Sequence, residues 1–294
     1  MNMDKIRPCL WFDNQAEEAA KFYCSIFPNS KMGTVARYGE SSAKASGRPK
    51  DSVMTALFDL DGLELMALNG GPNFEINPSI SLFVALDSAE KVVSLHEKLM
   101  DGGTELMPLD KYFFAAKYAW VQDKYGMSWQ LFCHETPKKI RPCLMFCGPQ
   151  LGRCEEAIRL YTSIFDNSEI EFMHRYDEGE HKGQIMHAAF TLNGQGFVAM
   201  DSAGPHEFHF NEGLSLAACC DNQAEIDKLW MALAEGGEIQ QCGWLKDKFG
   251  VAWQIVPKAM DEIMKDPARG EKVMEAVLSM KKLEIKELEL AASK

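Results

Sequence analysis

The side chains with chemistry to offer fall into a few groups. Gln130 and Gln254 each close a copy of one string, Asp123-Lys124-Tyr125-Gly126-Met127-Ser128-Trp129-Gln130 and Asp247-Lys248-Phe249-Gly250-Val251-Ala252-Trp253-Gln254. Neighbours on a strand point to opposite faces. Tryptophans packed under helices would therefore leave both amides facing a hollow, where each needs a ligand or a neighbouring strand as hydrogen-bond partner. Cys143, Cys147 and Cys154 suggest zinc by residue type. Their C-x3-C-x6-C spacing lacks a fourth Cys or His, however, and Cys143 and Cys154 read equally as small buried hydrophobes. His206 and His209 lie three apart in a loop and would need further ligands to hold an ion. Cys242 has no cation or helix start beside it to lower its pKa and reads as pocket lining. Asp123 and Asp247 read as turn formers. No metal site is assigned.

The elements that must position these groups come in two copies. Lys5-Ile6-Arg7-Pro8-Cys9-Leu10 recurs unchanged as Lys139-Ile140-Arg141-Pro142-Cys143-Leu144, and Ser25-Ile26-Phe27-Pro28-Asn29-Ser30 recurs as Ser163-Ile164-Phe165-Asp166-Asn167-Ser168. The order of the repeated strings is kept, with an insertion in the second copy near 148–151, so the chain is a tandem duplication. A strand over 6–12 leads to a helix over 16–27, whose stripe Ala16, Ala19, Ala20, Tyr23, Ile26, Phe27 has helical spacing. Strands follow near 31–39, 52–60 and 63–69, the last two joined by the turn Asp61-Gly62, with Asn193-Gly194 as its counterpart. A strand over 80–86, a helix over 88–100 and strands near 104–109, 117–122 and 127–133 repeat the order. Each copy thus holds two β-α-β-β-β modules and is large enough to bury a core of its own. The expected fold is α+β: two curved, mostly antiparallel sheets with helices on one face and a concave face left for a ligand. The expected domains are 1–137 and 138–257, joined by Glu135-Thr136-Pro137-Lys138, followed by a helical tail over 258–294. The tail's Met-rich stripe, with Val273, Met274, Val277 and Leu278, suits a helix sealing the domain pair or a homodimer contact.

Composition narrows the partners. Of 294 residues, 46% are hydrophobic and 25% charged, as in a folded globular protein. The net charge is 31 − 43 = −12, which gives no electrostatic drive toward nucleic acid. No apolar run approaches the roughly 18 residues of a membrane span. Nine cysteines, with no apolar stretch behind Met1-Asn2-Met3-Asp4-Lys5, suit a cytoplasmic, reducing location.

The module order, with Ala16-Glu17-Glu18-Ala19-Ala20-Lys21-Phe22-Tyr23 after the first strand and the Asp-Lys-x-Gly strings at the end of each copy, resembles the vicinal oxygen chelate superfamily of glyoxalase I and the extradiol dioxygenases. Within it the chain resembles the PhnB-like branch, often labelled demethylubiquinone methyltransferase-like. Metal-using members place a His or Gln at the opening of a module's first strand and a Glu or Gln on its last strand. Here the opening positions fall on Pro8, Pro142, Ser81 and Ser215. The last-strand positions fall on Gln130, Gln254, Asn69 and Asp201. The resemblance implies a concave pocket lined by Gln130, Gln254, Ser81, Ser215, Asn69, Asp201 and Cys242. It also implies a divalent metal cofactor, for which this ligand set is incomplete. The methyltransferase label sits poorly, because no G-x-G-x-x-G follows a strand to hold a methyl donor such as S-adenosylmethionine.

Three functions stay open: a glyoxalase-like protein or enzyme binding a small oxygenated molecule, a non-catalytic ligand-sequestering protein, and an interaction protein whose hollow is filled by its own side chains. The two copies are expected to pair as an intramolecular pseudo-dimer, and Asp201 tips the preference toward the second copy.

Overall fold

The computed structural model describes residues 6–134 and 140–293; the expected linker, Glu135–Lys138, lies outside the described residues. The first module comprises β1 (Ile6–Phe12), α1 (Ala16–Ile26), β2 (Lys31–Arg37), α2 (Glu40–Ser46), β3 (Val53–Leu60) and β4 (Leu63–Asn69). The second comprises β5 (Ile80–Leu86), α3 (Ala89–Leu99), β6 (Thr104–Tyr112), β7 (Ala115–Gln122) and β8 (Ser128–Cys133). The second copy repeats the order with β9 (Arg141–Phe146), α4 (Cys154–Ile164), β10 (Glu169–Arg175), β11 (Ile185–Leu192) and β12 (Gln195–Asp201). It ends with β13 (Leu214–Cys220), α5 (Gln223–Ala234), β14 (Glu238–Ile239), β15 (Trp244–Lys246) and β16 (Ala252–Pro257). The insertion near 148–151 is a single 3-10 turn, Gly148–Gln150. The short helix α2 has no counterpart in the sequence reading. Both hairpin turns form with left-handed residues at Asp61-Gly62 and Asn193-Gly194, the geometry that matches the twist of the strands they join.

The strands build two eight-stranded mixed sheets, in the orders β14-β15-β16-β13-β1-β4-β3-β2 and β10-β11-β12-β9-β5-β8-β7-β6. Each sheet draws one module from each copy. The first joins modules one and four through the antiparallel pair β1·β13, and the second joins modules two and three through β5·β9. The copies were expected to bury separate cores; instead each module's first strand covers its exposed edge with a strand of the other copy. The crossing segments repeat one lock. Asn77 Nδ2 donates to the His209 carbonyl at 2.9 Å, and Asn211 Nδ2 donates to the Glu75 carbonyl at 3.0 Å. The duplication thus folds as an intramolecular pseudo-dimer.

The crossover helices α1, α3, α4 and α5 lie between the sheets. Helix α1 packs on β3 and β4 of the first sheet, while its Tyr23 and Phe27 rings meet Trp129 of the second at 5.2 and 5.1 Å. Helix α4 mirrors it, packing on β11 while Tyr161 and Phe165 meet Trp253 of the first sheet at 5.3 and 5.5 Å. One apolar core therefore serves both sheets. The outer faces are concave. Phe83 on β5 and His187 on β11 bring their ring centres within 5.7 Å. They are separated by three strand spacings of about 4.8 Å each in a flat sheet, so the sheet must roll.

The sequence reading leaves both outer faces open. The tail helices α6 (Met260–Ile263), α7 (Pro267–Ser279) and α8 (Ile285–Ala292) lie over the outer face of the first sheet. Val273, Val277, Met280, Leu283 and Leu288 are buried there with Cys242 and Val256. The tail's apolar stripe is thus spent within the chain.

Candidate functional site

Strand phase places Trp129 and Trp253 under the helices and Gln130 and Gln254 on the hollow faces. The loop before each tryptophan explains the Asp-Lys-x-Gly string. Asp247 accepts the backbone N–H of Phe249 and Val251, the Trp253 indole N–H at 2.9 Å and the Tyr161 hydroxyl at 2.6 Å. Asp123 accepts Tyr125 N, Met127 N and the Trp129 indole in the same way. Gly126 and Gly250 both stand at φ 87, a left-handed turn that a side chain would strain. Burial raises the pKa of both aspartates, against the pull of these donors.

In the second sheet, Gln130 Nε2 donates to Ser81 Oγ at 2.8 Å and to Cys143 Sγ at 3.6 Å, while the Tyr118 hydroxyl donates to Gln130 Oε1 at 2.8 Å. Ser81 and Cys143 are register partners across β5·β9. In the first sheet, Gln254 Nε2 donates to Ser215 Oγ at 2.9 Å, and Ser215 is the register partner of Cys9 across β1·β13. The module seams thus carry the same Cys–Ser–Gln cluster twice. Two expectations change here. The strand-opening position that faces the hollow is Cys9 or Cys143; Pro8 and Pro142 pair with Leu216 and Leu82 on the helix side. The two glutamines and two serines also bond one another within the sheet, and Gln130 Oε1 further accepts from Tyr118. Burial pushes the Cys143 thiol up to about 12 and the Cys9 thiol up to about 11, so both keep their protons at neutral pH.

Asn69 and Asp201, expected in the pocket, face the helices. Asn69 Oδ1 caps α1 by accepting Ala16 N at 2.8 Å, and its Nδ2 donates to the Val53 carbonyl. Asp201 caps α4 by accepting Gly152 N and Cys154 N, and its other oxygen accepts Ile185 N at 2.9 Å. The preference for the second copy, which rested on Asp201 and on the polar side chains gathered there, loses the first of these grounds. Cys242 lies in the β14–β15 turn at φ 61 beneath the tail, its N–H bound to the Met280 carbonyl at 2.7 Å, and its side chain packs against the tail. Cys143, Cys147 and Cys154 diverge: Cys147 donates to the Phe208 carbonyl, and Cys154 sits in the helix-side core. His206 shares a hydrogen bond with Ser202 at 2.7 Å. Among the described residues, no three His, Cys, Asp or Glu side chains converge as metal ligands.

The residues that sequence reasoning missed are the walls of the second hollow. Tyr118, Trp120 and Met145 are buried on it, with Met107, Phe132, Met200 and Phe208 around them. Their signal was the period-2 alternation of β7 beside Gln130. Deeper in, His187 packs between Phe83 and Phe172, and its Nε2 is buried without a hydrogen-bond partner. Burial pulls the His187 pKa down to about 4, so the ring is neutral. The hollow is walled by these adaptable rings and thioethers rather than by empty space. Two clefts lie elsewhere, one of about 430 Å³ beside Trp11, Gln15 and Tyr125 and one of about 310 Å³ beside Asp166 and Lys228.

The chelated ion of the superfamily does not fit these seams: a hydroxyl, a carboxamide and a protonated thiol, tied to one another, supply no anionic donor set. The N-termini of the four crossover helices are capped by Asn69, Ser88, Asp201 and Asn222.

Four β-α-β-β-β modules, paired seam to seam with hollows outward, define a glyoxalase-like protein of the vicinal oxygen chelate fold. The chain belongs to the PhnB-like family described as 3-demethylubiquinone-9 3-methyltransferase, which it matches twice, over residues 4–132 and 138–256. It is similar to a putative 3-demethylubiquinone-9 3-methyltransferase, PhnB protein, from Bacillus cereus, at 37% identity over 45% of this chain and 100% of that one, with a TM-score of 0.41. Glyoxalase I from Zea mays matches 86% of this chain and 93% of its own, at 13% identity and a TM-score of 0.52, a likeness of fold alone. No curated protein matches.

Proposed function

We propose that this protein binds a compact, flat, mostly apolar molecule bearing a hydroxyl or carbonyl oxygen in the hollow of the second sheet, and holds it by hydrogen bonds and apolar contact without a chelated ion. The observation that carries this reading is the His187 Nε2, a buried ring nitrogen with no hydrogen-bond partner among the described residues, set on an aromatic wall. An unmade buried hydrogen bond costs about 1–3 kcal/mol, and a ligand hydroxyl, able to donate or accept, would supply the missing partner. Phe83, Phe172, Phe132 and Trp120 offer ring faces, and Met145 and Met200 can re-pack around a guest. The reading is one of binding and sequestration, because the groups at hand are poor reactants: the Cys143 thiol keeps its proton, and the His187 ring has lost most of its basicity.

The test is a thermal-shift panel of small phenols, hydroxyketones and their methyl ethers, each run on the parent chain, His187→Phe and Met200→Trp. Free hydroxyl compounds should raise the Tm of the parent. The shift should shrink in His187→Phe and vanish in Met200→Trp, which fills the hollow. Equal shifts in all three proteins, or none in the parent, would sink the reading.

A further inference from the structure

The first sheet carries the same cluster as the second, Cys9, Ser215 and Gln254, on a hollow face that the tail covers. What holds the tail there is discrete. Arg7, on that face of β1 and 3% exposed, places its Nε 2.7 Å from Glu64 Oε1 and its Nη2 2.7 Å from Asp261 Oδ2 in α6. Farther along, Glu271 of α7 accepts the Ser41 N–H at 2.5 Å at the start of α2. Past α7 the tail clips to the β14–β15 turn, where Cys242 N and Gly243 N donate to the Met280 and Lys281 carbonyls, both at 2.7 Å. Between these ties the contacts are apolar and soft: Met260, Ile263 and Met274 lean on Val273, Val277 and Val256. The covering is thus a strap fastened by Asp261 and Glu271 along its first half and, past α7, by the backbone clip, the Lys282–Asp227 ion pair and the Gln223 side chain, which bonds the Leu283 carbonyl and Ile285 N. The Arg7 charge stays paired through Glu64 when Asp261 leaves, so opening strands no lone buried ion.

We propose that residues 258–293 form a latched strap over a second, cryptic ligand site, and that when the Arg7–Asp261 and Ser41–Glu271 contacts release, the Cys9–Ser215–Gln254 cluster takes a ligand of the class proposed for the second sheet. The ligand class rests on the proposal for the second hollow; the opening of the strap does not. Lifting the strap uncovers Cys219 beside Arg7, Cys242 in the clipped turn and Cys9 in the cluster. Cys143, the twin of Cys9, lies in the other sheet and has no contact with the strap.

The experiment is iodoacetamide labelling of the full chain, read cysteine by cysteine by mass spectrometry, in the parent, Asp261→Asn and Glu271→Gln. Each variant keeps the shape of the side chain and weakens one charged tie. Labelling of Cys9, Cys219 and Cys242 should rise about five-fold or more, with Cys143 unchanged. The flat aromatic alcohol 1-naphthol, a member of the ligand class, should then protect Cys9 in Asp261→Asn. Equal acceleration at Cys143 would mean that the variants loosen the whole fold, and the strap would be refuted. Acceleration without protection of Cys9 by the probe would refute the site while leaving the reading of the second hollow to its own panel. Unchanged labelling in both variants would refute the latch.

Discussion

Replacing Gln130 by leucine asks whether this amide is a member of the sheet or a group held in waiting for a ligand. Gln130 is 2% exposed and meets three partners: the Tyr118 hydroxyl, Ser81 Oγ and Cys143 Sγ. Leucine fills nearly the same space and accepts nothing, so the Tyr118 hydroxyl loses its acceptor. Burial holds that hydroxyl well above the ordinary tyrosine range, so it remains an O–H donor at any working pH. A stranded buried hydroxyl costs about 1–3 kcal/mol, and loss of the Ser81 contact adds about 1; the apolar gain of leucine offsets part of this. A net loss of about 2 kcal/mol corresponds to roughly 4–8 °C in Tm for a domain somewhat smaller than this chain. The shared core makes one cooperative transition the expectation, and coincident fluorescence and circular dichroism melts check it. Tyr118→Phe in the Gln130→Leu background removes the stranded group. The double variant should therefore lose less than the sum of the singles, by about 0.5–3 kcal/mol of coupling. The first sheet provides the control. Counting five residues back from the repeated aspartate, Cys242 stands where Tyr118 stands, so Gln254→Leu strands no tyrosine and should cost less. A Gln130→Leu protein as stable as its parent or more so, with additive doubles, would refute the view that the sheet itself satisfies the amide.

Two further outcomes follow from the same geometry. Asn69 and Asp201 do one job with opposite second contacts, a donor to the Val53 carbonyl and an acceptor from Ile185 N; Asn69→Asp and Asp201→Asn should each cost about 1–3 kcal/mol in urea titrations without touching ligand binding, and a neutral pair would refute the capping roles. His187, with a folded pKa pulled down to about 4 from an ordinary 6.5, binds fewer protons in the folded than in the unfolded chain within that window. The stability it contributes is whole above pH 6.5 and is lost as pH falls toward 4, by about 3 kcal/mol at 1.36 kcal/mol per unit. Asp123, Asp201 and Asp247, raised by burial, run the other way, so the measurement is the difference between the parent and His187→Phe across pH 4–7. That difference should swing toward the variant on acidification; a flat line would place His187 in water.

The fold was legible because its signals are local and occur more than once. The stripe Ala16, Ala19, Ala20, Tyr23 repeats as Cys154, Ala157, Ile158, Tyr161, and both stripes are buried as read. The alternation of Trp129 with Gln130 placed one under the helices and the other toward the hollow. Registration was not legible. Whether a proline or the cysteine after it faces the hollow depends on which strand lies alongside, and only the pairs Ser81–Cys143 and Cys9–Ser215 decide it. Asn69 and Asp201 misled for another reason: each keeps the phase of the core-facing residues before it, Leu63, Leu65 and Ala67 or Phe197 and Ala199, and meets the N-terminus of the helix that follows the neighbouring parallel strand. The exchange of modules between copies was also invisible, since both pairings bury the same strand edges.

That exchange explains why the two hollows have diverged. Strands β8 and β9, the last of the first copy and the first of the second, both lie in the second sheet. The last strand of the second copy, β16, lies in the first sheet, beside β13 and one strand from β1. Whatever follows Pro257 therefore emerges at the first sheet and reaches its outer face within a few residues. Lys258 N still bonds the Cys220 carbonyl, and Asp261 already meets Arg7. A tail appended to this duplication finds the first hollow by connectivity and the second only by crossing the molecule. The hollow it reaches no longer has to satisfy its own polar floor toward solvent, and there Cys242 stands in place of Tyr118. The hollow it cannot reach keeps the tyrosine, the tryptophan and the unpartnered histidine. The asymmetry of the two sites is thus set by which sheet holds β16, acting on two seams that carry the same cysteine, serine and glutamine.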